Sequence, residues 1–175
     1  MNENFEVFPR RHREGLISAI SAGFFFVLVG AIFLATPNLF ERIIDFFTSF
    51  DIVRVPNLGD VFFPAPVQPV AHSVVYIAVE RFSLVWGFFQ IVILALRFVA
   101  LSPWNKKAES VSNLVFWFGT GFLIRTFLIE TMSLALLTNP LARWFVFWSG
   151  IIMLMGVSLI VRAIILAAMS TRYVT

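Results

Sequence analysis

The sequence predicts an all-α integral membrane protein: a four-transmembrane-helix bundle with an outer amphipathic helix and a Pro-rich loop between spans 1 and 2. Three observations carry this prediction. Four long apolar segments, 15–36, 71–100, 111–137 and 142–169, fill most of the 175 residues, and each supplies the ~20 apolar residues that cross a ~30 Å hydrocarbon core. The chain is 59% hydrophobic and 13% charged, with mean hydropathy +0.90. That is more apolar surface than a soluble domain of this size can bury. Lys and Arg gather near the segment ends, as positive-inside topology requires.

Taken in order, segment 1–14 carries Arg10, Arg11 and Arg13 ahead of the first apolar run. The run is long for a signal peptide and no A-x-A site follows it, so 15–36 reads as an uncleaved first span. With the N-terminus inside, the cytoplasmic side holds Arg10, Arg11, Arg13, Arg97, Lys106, Lys107, Arg162 and Arg172. The outer side holds Arg42, Arg54 and Arg143. Eight against three places both termini in the cytoplasm of a plasma-membrane protein.

Span 1 ends at Thr36-Pro37-Asn38, where Pro interrupts the helical hydrogen bonding. From Asn38 to Phe50, polar Glu41, Arg42, Asp45, Thr48 and Ser49 share one side and Leu39, Phe40, Ile43, Ile44, Phe46, Phe47 and Phe50 cover the rest. This predicts a short interfacial helix with Asn38 as N-cap; a kinked continuation of span 1 is the alternative. Asp51 to Val70 holds Pro56, Pro64, Pro66 and Pro69 with Gly59, which predicts an extended or polyproline-like loop. Its apolar residues, among them Val53, Val55, Phe62 and Phe63, suit packing on another surface, and the whole outer segment from Thr36 to Val70, with Glu41, Asp45, Asp51 and Asp60 against two Arg, is the candidate partner contact. Residues 101–110 read as a cytoplasmic loop, 138–141 as an outer turn and 170–175 as a cytoplasmic tail, all within one domain. Thr36-Pro37-Asn38-Leu39 and Thr138-Asn139-Pro140-Leu141 echo one another. Turn chemistry explains the echo as well as a two-plus-two repeat does.

Span 2 carries Ser73, Tyr76, Glu80, Ser83, Gly87, Gln90, Leu94 and Arg97 at strict 3-4 spacing. Such a stripe should face other helices. Ser112, Phe116, Gly119, Leu123, Thr126, Glu130, Ser133 and Leu137 repeat it in span 3. Ser149, Met153, Gly156, Ile160, Ala163 and Ala167 form a small-residue stripe in span 4, and Ser18, Ala22, Phe25, Val29, Ile32 and Thr36 a fainter one in span 1.

Glu80, Arg81, Arg125 and Glu130 lie inside apolar runs, where charge is costly and often functional. At 1.5 Å rise per residue, Glu80 sits roughly 8 Å below the outer edge, Arg81 and Glu130 roughly 9 Å, and Arg125 roughly 16 Å. Three readings follow: ion pairs within the chain, most simply Arg81 with Glu130 and Arg125 with Glu80; a contact in trans with an acid on another subunit; or a cation or proton site on the two carboxylates, extended by Gln90. Arg97 and Arg162 lie at the inner boundary, where they can snorkel to headgroups or hold anionic lipid.

No motif announces catalysis. His12 and His72 fall on opposite sides, which excludes a bis-His haem within one chain. His72 with Tyr76 and Glu80 is a conceivable metal set, but a polar end residue is the simpler reading of His72. Ser83 and Ser133 lack a His base. Trp86, Trp117, Trp144 and Trp148 read as packing or belt residues. No P-loop, dinucleotide fingerprint, nucleophile elbow, zincin motif or EF-hand occurs. Cys is absent, so disulfides and thiolate chemistry are excluded. The +3 charge and pI near 10 come from scattered residues, not a nucleic-acid patch. In general layout only, the chain resembles small prokaryotic polytopic proteins. The sequence therefore predicts a non-catalytic accessory or assembly subunit of a membrane complex, or a homo-oligomer, without metal or other cofactor. Its partners are the lipid bilayer and other membrane subunits or itself. The alternative is a small ion or proton channel or transporter using Glu80, Gln90 and Glu130.

Overall fold

The computed structural model describes residues 10–56, 59–130 and 139–170. Most of segment 1–14, the end of span 3 from 131 with Ser133 and Leu137, Thr138 of the outer turn and most of tail 170–175 lie outside them. The elements are α1 (Arg10–Ala35), α2 (Leu39–Thr48), β1 (Phe50–Arg54), β2 (Phe62–Pro66), a 3₁₀ turn (Pro69–His72), α3 (Ser73–Val99), α4 (Trp104–Leu123) continued by a π-helical segment (Ile124–Glu130), and α5 (Pro140–Ser170). Four helices are long and apolar enough to cross a membrane: Glu14–Ala35, Pro69–Val99, Trp104–Glu130 and Pro140–Met169. They pack in sequence order, α1 on α3, α3 on α4, α4 on α5. The arrangement is a row more than the closed bundle expected.

The α3–α4 pair is the tightest contact. A Cβ on Gly87 would lie 3.1 Å from the Phe118 ring, and one on Gly121 would lie 2.7 Å from Leu84 Cδ2. Each helix thus lends a glycine to a large side chain of the other, the close approach that small residues permit. On α5 the expected stripe is reversed. Ser149, Met153, Gly156, Ile160, Ala163 and Ala167 are exposed, whereas Trp144, Phe147 and Ser158 are buried and Ile151, Leu154, Val161 and Ile165 half-buried. The physical reason is on α4. Gly119 provides a hole for Leu154, where a Cβ would meet it at 2.5 Å, and α5 returns one through Gly150, where a Cβ would meet Leu123 at 3.2 Å. Ser112 Oγ donates to Ser158 O at 2.8 Å across the same interface. Helix α1 departs from its expected stripe in the first half only: Ile17 and Leu28 are buried, Phe24 stacks on Phe89, and Ser18, Ala22 and Phe25 are exposed, whereas Val29 and Ile32 are half-buried and Thr36 is buried as expected.

Two connections differ from the sequence reading. The loop expected at 101–110 is only 100–103, because α4 begins at Trp104. Pro103 suits a helix start, and Asn105 to Glu109 is rich in helix formers, with Lys106 and Glu109 paired at 3.0 Å. The Pro-rich loop is a β-hairpin. Backbone bonds Val67 N–H to Ser49 O and Val55 N–H to Val61 O flank the ladder. They fix its phase, so 51/65 and 53/63 are the hydrogen-bonded pairs. Pro64 and Pro66 therefore fall where an N–H would point away from β1, and the ladder loses nothing. Asn38 does not cap α2 with its side chain. At φ 54° it is left-handed, which Asn tolerates, and it breaks the chain between α1 and α2. The hairpin and α2 then close over the ends of α3 and α5. Ala65, Tyr76, Ile124, Leu128, Trp144 and Phe147 form the buried core there, and Ser49 Oγ and His72 Nε2 lie 2.8 Å apart.

Overpacking the interlock should cost about 1–3 kcal/mol per site. Gly121→Val and Gly119→Val are expected to lower Tm in detergent, while Gly156→Ala, with open space around it, is expected to leave Tm unchanged or raise it. Equal effects at all three positions would refute the interlock.

Candidate functional site

The charge cluster assembles around the π-helical segment. In an α-helix, residues five apart are turned by about 140° and do not face each other. In a π-helix the i→i+5 bond brings them almost into line. Arg125 and Glu130 are five apart, and Arg125 Nε donates to Glu130 Oε1 at 3.0 Å. The other end of the guanidinium reaches across to α3, where Nη1 donates to Glu80 Oε1 at 3.2 Å. Arg125 thus bridges two carboxylates from two helices.

The setting is asymmetric. The Glu80 side chain is 9% exposed, those of Arg125 and Glu130 62% and 59%. Glu80 sits on the buried α3 stripe, while Arg125 and Glu130 look outward from the π segment. The expected pairing of Arg125 with Glu80 is present. Arg81 does not pair with Glu130: it is exposed and makes no ion pair among the described residues. The difference arises because α-helical periodicity placed Glu130 on the inner stripe with Thr126. The π turn shifts that phase, leaving Thr126 half-buried and Glu130 exposed. Helical periodicity in the sequence does not signal the π segment Ile124–Glu130, yet the Arg125–Glu130 contact depends on it.

The remaining predicted residues divide between two levels of α3. Ser83 is buried and donates to Val79 O of its own helix at 2.7 Å. Gly87 and Gly119 are the packing positions already described. Gln90 and Arg97 are buried near the other end of α3. Arg97 does not extend to the surface as expected of a snorkelling residue. Its Nη1 donates to Lys106 O and, at 2.7 Å, to Ser110 Oγ, so it fastens the α3–α4 turn. Arg162 is exposed on α5. Lys107 is buried, its ammonium 4.5 Å from the ring centroids of both Phe98 and Trp104.

His72 is engaged with Ser49, and among the described residues no group of three or more His, Asp or Glu is placed to hold a metal. Trp144 is a core residue, within ring-contact distance of Phe46, Phe50, Tyr76 and Phe147. Trp86 and Trp117 join the α1–α3–α4 aromatic cluster through Phe82, and Trp148 is exposed. No protein-family model matches the chain, and no curated protein and no solved structure matches it.

Because Glu80 is the buried partner, removing its counter-charge should hurt most. Arg125→Gln is expected to lower Tm more than Glu130→Gln, and Glu80→Gln combined with Arg125→Gln should lower it by less than the two single losses added. Thermal unfolding of the wild type, the three single variants and the double variant in one detergent checks this. A strictly additive double variant would show that the Glu80–Arg125 pair carries no coupling.

Proposed function

We propose that the protein is a multi-pass plasma-membrane protein with both termini cytoplasmic. It acts without catalysis, as an accessory or assembly subunit of a membrane complex or as a homo-oligomer. One observation carries the reading: the outward setting of Arg125 and Glu130 on a helix apolar enough to span a bilayer. Charge facing hydrocarbon is unfavourable, and intramembrane ionisable groups are normally covered by protein or line water. A neighbouring subunit set against the π segment would cover both.

Other surfaces agree with an assembly role. In the most apolar windows of α1 and α5 only 11% and 6% of residues are buried. The hairpin leaves Ile52, Phe62 and Phe63 exposed, and α2 leaves Phe40 and Phe47 exposed. Packing along α3 weighs against a conducting path through Glu80, Gln90 and Glu130. Ser83 and Gly87 lie buried between the first two, and the Phe118 ring closes on Gly87.

Mild-detergent extraction from the native membrane, followed by mass determination, tests the reading. Wild-type protein is expected to migrate as an oligomer of fixed stoichiometry, with itself or with other membrane subunits. Arg125→Gln and Glu130→Gln, at equal expression, are expected to lose most of it. A monomer in all three cases, together with ion flux from reconstituted protein that Glu130→Gln abolishes, would replace this proposal with transport.

A further inference from the structure

At the end of α3 remote from the hairpin, a cavity of about 530 Å³ opens between α1, α3 and α4. It exists because α1 leans on α3 without extensive packing on α4. Its walls are of two kinds. Phe25, Phe26 and Trp86 line one part and Gln90, Arg97 and Ser21 another. Gln90 is 4% exposed and Arg97 9%, so both were taken out of solvent when the helices packed. Neither is fully satisfied. The Nε of Arg97 is fully buried without a hydrogen-bond partner among the described residues, and Gln90, which lines the cavity, makes no side-chain hydrogen bond there. A buried polar group left in that state is costly, and a native site normally supplies the partner.

The charge balance specifies the partner. Lys106 and Glu109 also line the cavity but neutralise each other at 3.0 Å. Arg97 has no acidic partner among the described residues, so the cavity carries one uncompensated positive charge. Guanidinium with an amide and a hydroxyl beside it is a donor set for phosphate oxygens. The adjoining aromatic wall fits an acyl chain, not an ion alone. Basic pockets between helices near the cytoplasmic side are a recognised form of anionic lipid site.

We propose that this cavity binds the phosphate headgroup of an anionic phospholipid, with Arg97 and Gln90 as headgroup ligands and Phe25, Phe26 and Trp86 against the chain. The proposal rests on the bilayer reading above, but not on the presence of a partner subunit.

Native mass spectrometry of the full chain, in micelles doped with phosphatidylglycerol or phosphatidylcholine, tests it. One phosphatidylglycerol should be retained in preference to phosphatidylcholine by on the order of tenfold. Arg97→Gln should abolish the preference. Arg97 also fastens the α3–α4 turn, so Gln90→Leu is the control that breaks no bond of the protein. It should reduce phosphatidylglycerol retention several-fold with Tm unchanged. Equal retention of the two lipids, no change in Gln90→Leu, or displacement of the lipid by millimolar inorganic phosphate alone would overturn the proposal, the last by assigning the cavity to a free anion. Alkaline carbonate washing of membranes separates the two levels. Release of the protein would sink the bilayer reading itself, whereas retention without lipid preference sinks only the site.

Discussion

The reciprocal interlock of α3 and α4 is the constraint on which the rest of the molecule depends. Phe118 fills the space above Gly87 and Leu84 the space above Gly121, so the two helices can neither slide nor rotate without a clash. One helical turn is about 5.4 Å, more than the reach of any of the polar contacts seen. The register fixed by the glycines is what sets Arg125 beside Glu80 at one level and Arg97 beside Ser110 at another. The remaining helices attach to this pair, α1 through aromatic stacking on α3 and α5 through Leu154 against Gly119 and the Ser112–Ser158 bond. Inside a bilayer such packing must hold without help from water, since lipid is as apolar as the helices themselves.

Given that register, the π-helical segment decides which way the charges face. A continued α-helix would have kept Glu130 on the α4 stripe, turned toward α3. The wider turn brings Glu130 round to Arg125 and leaves the pair on the outside, with Glu80 alone held inside. One buried carboxylate is thereby neutralised by a cation that is itself reachable from outside the chain. Such an arrangement lets an event at the surface alter a group in the interior, because whatever changes the hydrogen bonding of Arg125 changes the environment of Glu80.

How much of this was legible depends on whether simple periodicity survives. The α3 stripe could be read directly: Tyr76, Glu80, Ser83, Gly87, Gln90 and Arg97 are all buried, because α3 is an unbroken α-helix with neighbours on both sides. The α5 face could not be read, because smallness was taken as the mark of an interface when α4 had already supplied the small residue. Among the described residues of 51–70 the four prolines leave no α-helix, though a 3₁₀ turn begins at Pro69. They did not reveal the hairpin, since only the hydrogen-bond phase shows that Pro64 and Pro66 sit at positions needing no N–H. The Arg125–Glu130 pair was hidden for a different reason: a spacing of five has no meaning in α-helical reading.

The α3 stripe also separates structural polarity from polarity that awaits a ligand. The Tyr76 hydroxyl is fully buried without a hydrogen-bond partner among the described residues, whereas Gln90 lines a cavity. Tyr76 is sealed among Phe46, Trp144 and the rest of the hairpin-end core, so nothing from outside can reach its oxygen, and its orphan state can only subtract from stability. Gln90 opens on a cavity that also holds a charged arginine. Substitution of Tyr76 by an apolar residue of similar volume would relieve that group. For Tyr76 that would be a gain without functional consequence. At Gln90 an apolar residue would instead remove a donor from the lining of the cavity that also holds Arg97.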